Sequence, residues 1–121
     1  MGSDPQRGEL WWIDWSPGRG SEQQGTRPAL VIQTDAANLN PRYPNTIVVA
    51  VSTKGKPVPF HLAVKPTIQN GLGETSYIKC EQILTIAKRR LIRKIGMLET
   101  ELLQQVEKAI TLILNIEARF V

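Results

Sequence analysis

Residues 27–53, RPALVIQTDAANLNPRYPNTIVVAVST, decide the fold class of this 121-residue chain. Two apolar runs, Ala29-Leu30-Val31-Ile32 and Ile47-Val48-Val49-Ala50-Val51, are too short for helices and rich in β-branched side chains, so each reads as a buried strand. Between them, Asp35 to Pro44 is turn-rich, with Asn40-Pro41 and Tyr43-Pro44. Pro28 opens the first run, and Ser52-Thr53 ends the second.

Toward the N-terminus, Leu10 to Trp15 is another β-favouring segment, stopped by Ser16-Pro17-Gly18. From there to Arg27 the chain is polar and dotted with Gly18, Gly20 and Gly25. A loop well beyond the usual ~4–6 residues is expected to be functional or disordered. On the other side, Lys54-Gly55-Lys56-Pro57 is a basic turn. Phe60, Leu62 and Val64 alternate with His61 and Ala63, as in a half-buried strand. Asn70-Gly71 marks a tight turn, and Ser76 to Cys80 resumes extended structure. Glu81 to Leu98 is ambiguous between short strands and helical turns. Leu102, Val106, Ala109, Ile113 and Ile116 then recur at helical spacing, broadened by Leu103, Ile110 and Leu114. Thr100 is the expected N-cap, with Glu99 and Glu101 at the positive end of the helix dipole. The prediction is a mainly β domain over residues 7–121, a small, strongly curved β-barrel carrying one C-terminal α-helix. Residues 1–6 are expected to be a disordered N-terminus or an expression-tag remnant.

The length suits one domain with a modest core. A hydrophobic content of 41% and a charged content of 21% argue against disorder. No apolar run approaches the ~20 residues of a membrane span, and the start lacks a signal-peptide core. Cys80 is the only cysteine and cannot form an internal disulfide, so the expected compartment is the cytoplasm. One cysteine and one histidine leave little for a zinc site, and no cofactor is expected. Fifteen Lys/Arg against eleven Asp/Glu give +4, a mild excess compatible with a polyanionic partner. The run Lys88, Arg89, Arg90, Arg93, Lys94 reads equally as a solvated face or a binding patch.

The sequence contains no Gly-rich P-loop, paired-histidine metal motif or catalytic-triad signature. A single histidine, His61, excludes a two-histidine acid–base ribonuclease; most lone strand histidines are structural, and a functional role for this one rests on general histidine chemistry. What remains is the loop Gly20-Ser21-Glu22-Gln23-Gln24-Gly25-Thr26-Arg27-Pro28. Its arginine presents a fork of donors matched to phosphate oxygens. Beside a hydroxyl from Ser52 or Thr53, Arg27 could orient a phosphodiester and stabilise the phosphorane formed when a ribose 2′-OH attacks. The alternative is an Arg27 that only caps the loop through carbonyls or Glu22. If the strand runs on through Ser52 and Thr53, their hydroxyls point to opposite faces and only one meets Arg27. Trp11 and Trp15 should share one face and Trp12 the other. Exposed aromatics stack on unpaired bases, although at least one of the three is expected in the core.

Arg7-Gly8-Glu9-Leu10, Ser16-Pro17, Gly20-Ser21-Glu22-Gln23, Gly25 and Arg27-Pro28-Ala29-Leu30-Val31-Ile32 together resemble the opening of MazF/PemK toxins. The resemblance continues through Ile47 to Thr53, Pro59-Phe60, Glu81-Gln82-Ile83-Leu84-Thr85-Ile86 and Lys88-Arg89-Arg90-Leu91 into the helix. It implies an SH3-like barrel forming a homodimer, a toxin that cuts single-stranded RNA without a metal, and inhibition by an antitoxin with an acidic C-terminal segment. By the same resemblance Arg27 is catalytic, Ser52 or Thr53 supplies the partner hydroxyl, and Glu22 and Gln23 shape the site and contact RNA. Lys54, Lys56 and His61 complete the candidate RNA-binding set. Ser52 stands where threonine is usual, and Ala87 where relatives often carry aspartate. Two other readings stay open: a toxin of the same barrel that poisons DNA gyrase, and a nucleic-acid-binding barrel without catalysis.

Overall fold

A computed structural model describes residues 4–15 and 25–117. Among these residues six strands, β1 (Glu9–Asp14), β2 (Thr26–Val31), β3 (Asn45–Ser52), β4 (His61–Val64), β5 (Ser76–Ala87) and β6 (Leu91–Met97), form one antiparallel sheet in the order β4-β5-β3-β2-β1-β6. Among the described residues two α-helices accompany it, the single turn α1 (Asp35–Asn38) and the C-terminal α2 (Thr100–Ile113). Glu81 to Leu98, left ambiguous by its sequence, is extended. The long strand β5 runs to Ala87, a 3₁₀ turn spans Lys88–Arg90, and β6 follows.

Apolar residues fill both faces of the central strands, which is why their sequences read as unbroken hydrophobic runs. Leu10, Leu30, Val49, Val51 and Ile78 face a core completed by Val106 and Ala109 of α2. Trp11, Ile13, Trp15, Ala29, Val31, Val48 and Ile86 form a second cluster on the other side. Two of the three tryptophans are therefore core, and Trp12 alone is half-exposed. The sheet bends through irregular registers between Val49 and Ala50 and along β1 against β6, positions at which bulges increase local twist.

The curved sheet stays open, because its end strands β4 and β6 are not paired with each other. Residues 65–73 bridge the gap instead. Met97 N–H donates to Gln69 O at 2.9 Å. Gly71 has a φ of +70°, and a Cβ there would lie 2.2 Å from Ile95 O; one on Gly96 would lie 2.4 Å from Asn70 O. Only glycine allows this crossing. Asn70, fully buried, holds the bridging turn. Its Oδ1 accepts from the N–H groups of Thr67 and Leu72, its Nδ2 donates to Lys65 O and Glu99, and its own N–H donates to Thr67 Oγ1.

Glu99, rather than Thr100, is the N-cap of α2, and its carboxylate serves the bridging turn instead of the helix N–H groups. The helix stops at Ile113, earlier than the apolar stripe suggested. Asn115 takes φ 55°, Ile116 N–H donates to Thr111 O and Asn115 N–H to Leu112 O, the bonds of a Schellman terminus. Leu112, Ile113, Leu114 and Ile116 are consequently exposed. Within residues 1–6, expected to be a disordered N-terminus or tag remnant, Pro5 is buried and Gln6 N–H donates to Glu9 Oε1. Among the described residues no helix is long and apolar enough to cross a membrane.

Candidate functional site

β2 enters from the long loop with Thr26-Arg27-Pro28, and β3 leaves the sheet at Ser52. Their antiparallel register sets Ala29 opposite Ala50. The pairing ends there, and two residues beyond it on each strand Arg27 and Ser52 border the same pocket. Arg27, Ser52 and Thr53 line one pocket of about 420 Å³, with Trp12, Glu74 and Arg93 on its other walls. Arg27 is exposed, and no carboxylate meets its guanidinium among the described residues.

The condition under which Ser52 and Thr53 would point to opposite faces, a strand running through both, is not met. β3 ends at Ser52 and the chain bends at Thr53, so both residues line the same pocket. They still differ. Ser52 is half-buried and its Oγ accepts Lys54 N–H at 3.1 Å, whereas Thr53 is exposed. Accepting that bond fixes the serine oxygen and leaves its own O–H able to donate to an anion.

The other candidates lie elsewhere. His61 does not line the pocket, and its side chain is 5% exposed. Its Nδ1 accepts Lys56 N–H and its Nε2 reaches both Glu81 oxygens at 2.9–3.0 Å. Those contacts select the neutral tautomer protonated at Nε2, which donates to Glu81. The ring thus ties the basic turn to β5 and has neither nitrogen available for substrate. Lys54 and Lys56 are exposed beside the pocket-lining segment but do not line the pocket. Glu22 and Gln23 lie outside the described residues.

The basic run from Lys88 to Lys94, spread over the 3₁₀ turn and β6, is divided by the fold. Lys88 Nζ donates to the carbonyls of Ala37 and Asn40, Arg90 donates to Asp14 O, and Lys94 pairs with Glu9. Arg93 alone of these faces the pocket, and sequence reasoning passed over it. The signal that existed was its place in the run; what was missing was the strand alternation that separates it from its neighbours. Cys80 is buried, and burial together with the neighbouring Glu81 charge raises its thiol to about 11. Among the described residues no group of His, Cys, Asp and Glu is placed to hold a metal ion.

Residues 6–114 match the family model described as the PemK-like, MazF-like toxin of type II toxin-antitoxin systems. The chain is 36% identical over 115 residues to "Endoribonuclease MazF9" of Mycobacterium tuberculosis, spanning 92% of this chain and 97% of that relative. A crystal structure of MazF from Deinococcus radiodurans superposes with a TM-score of 0.79 at 24% identity, over 94% of this chain and 99% of that one. An endoribonuclease in complex with its cognate antitoxin, from a mycobacterial species, gives 0.77 at 20% identity over 95% and 99%. These two structures speak for the fold.

Proposed function

The chain belongs to the PemK-like, MazF-like toxin family, and on that premise we propose that it is a toxin endoribonuclease cutting single-stranded RNA without a metal. The observation that carries this reading is the meeting of Arg27, Ser52 and Thr53 at one pocket from strands distant in sequence. A ribose 2′-oxygen attacks the adjacent phosphorus, its proton passing to a base. The P–O5′ bond then breaks, and the departing 5′-oxygen takes up a proton. The products are a 2′,3′-cyclic phosphate and a 5′-hydroxyl. Charge accumulates on the non-bridging oxygens as the phosphorane forms. Arg27 supplies a forked cation there, and the Ser52 hydroxyl, its oxygen already held, donates a second bond. Thr53 borders the same phosphate from the exposed side.

The protein works in the cytoplasm as a symmetric dimer. Its exposed apolar helix end, Leu112 to Ile116, gives a second copy something to cover. An antitoxin with an acidic tail competes with RNA for the cationic pocket. Incubating purified protein with a long unstructured RNA tests the reading, with the cut ends mapped. Cleavage leaving 5′-hydroxyl ends supports it; retention of intact RNA would support a non-catalytic binder, and neither binding nor cleavage a gyrase-type toxin.

A further inference from the structure

The pocket has a second cationic wall that the reaction above leaves unused. Arg93 is exposed on β6, its guanidinium carbon 5.9 Å from the centroid of the Trp12 ring, and both residues line the pocket with Arg27. β1 separates the two arginines. Trp12 is paired with Pro28 on one side and with Arg93 on the other. Two strand spacings of ~4.8 Å set the backbones at Arg27 and Arg93 about 10 Å apart. Lys88, Arg90 and Lys94 are engaged by backbone carbonyls or a carboxylate, whereas no acid neutralises Arg93 among the described residues. Its contact with the indole orients it and leaves its charge in place.

A half-exposed indole and an unneutralised guanidinium are the surfaces on which unpaired bases stack. We propose that Trp12 and Arg93 form a base-stacking subsite for the nucleotide next to the phosphodiester held by Arg27. The proposal rests on the endoribonuclease reading and adds residues that fix how the strand lies. Trp12 and Arg93 hold the RNA, and they do not touch the reacting atoms. Their contribution therefore falls on binding, in KM, and leaves kcat nearly alone.

The test uses the whole protein with two readouts. One is steady-state cleavage of RNA, and the other is binding of a mixed-sequence single-stranded DNA oligonucleotide, which lacks the attacking hydroxyl. Arg93→Ala and Trp12→Ala should each raise KM and weaken oligonucleotide binding about tenfold, with kcat within about threefold of wild type. Arg89→Ala removes the same charge from an exposed residue outside the pocket and should stay within about twofold. Arg93→Lys keeps the charge but loses the stacking plane, so it should recover only a minor part of the loss. Oligonucleotide binding should also quench indole fluorescence, and Trp12→Phe should remove that quenching. Melting curves confirm folding, and Arg93→Gln replaces the alanine variant if that one fails to fold. An Arg93→Ala protein indistinguishable from Arg89→Ala, or full rescue by lysine, would overturn the subsite. Wild-type protein that binds the oligonucleotide but cuts no RNA would refute the nuclease reading, while the binding losses would still judge the subsite.

Discussion

At the scale of single residues, Arg27 and Ser52 line one pocket, and the proposed reaction gives them different tasks at the phosphate. Removing one preorganised donor from an oxyanion site typically costs ~10²–10³ in rate. Arg27→Ala should therefore lower kcat for RNA cleavage at least ~100-fold with an unchanged melting curve, and Arg27→Lys should not restore it. Ser52→Ala should lose at least about tenfold, ~1.4 kcal/mol of barrier, and Thr53→Ala less than about threefold. Equal small losses at both positions would mean that neither hydroxyl touches the phosphate. Cys80 supplies a check that is independent of RNA. With its thiol raised to about 11, it should resist a disulfide reagent at pH 8 in the folded protein and react once per chain in denaturant. Rapid labelling of native protein would contradict the packing described for β5. The residue types of the site were legible in the sequence, because an arginine before proline and a pair of hydroxyls at a strand end are chemically distinctive. Their convergence was not. Nothing in the sequence says that Arg27 and Ser52 reach one pocket, or that Thr53 lines it as well.

Elements were legible where burial is complete. The runs at Leu30 and Val49 are apolar on both faces and too short for a helix. β6 carries exposed Ile92, Arg93 and Lys94 at the end of the sheet, so its pattern resembles no buried strand, and it stayed ambiguous. The bridging turn was visible only as Asn70-Gly71, whereas its task is to span the gap between β4 and β6 and carry Gly71 to Glu74 into the pocket wall. Asn70→Ala would strip partners from two backbone N–H groups and a carbonyl, a cost of ~2–4 kcal/mol in a denaturation curve. Full stability in that variant would contradict the role given to the turn. Glu99 connects the same turn to pH. Its bond from Thr67 Oγ1, at 2.6 Å, lowers its carboxyl below the ordinary 4.5. A group with a depressed folded-state pKa stabilises above its unfolded value, and the effect disappears as pH falls through the folded one. Wild-type stability should thus include a part that is constant above about pH 5 and fades below 4.5, and Glu99→Gln should lack it. Parallel pH profiles for the two proteins would remove Glu99 from the account.

For the whole molecule, the sequence carried the mixture of strands and one amphipathic helix, and its resemblance carried the family. The helical spacing of apolar residues runs on to Ile116 because periodicity counts side chains without knowing what lies opposite them. In the structure that end is exposed, and symmetric pairing is the economical way to cover it. Light scattering at micromolar concentration should give a dimer, and Leu112→Glu with Ile116→Glu should shift it toward monomer. A wild-type monomer with full cleavage activity would contradict the dimer. The central claim is that this pocket cuts RNA through the substrate's own 2′-hydroxyl, with Arg27 stabilising the charge. Its most direct test is cleavage of one RNA oligonucleotide in excess EDTA, beside the same oligonucleotide carrying a single 2′-deoxy nucleotide at the mapped site. The first should be cut to a 2′,3′-cyclic phosphate and a 5′-hydroxyl, and the second should survive. Cutting of both, or activity lost in EDTA and restored by magnesium, would contradict the claim.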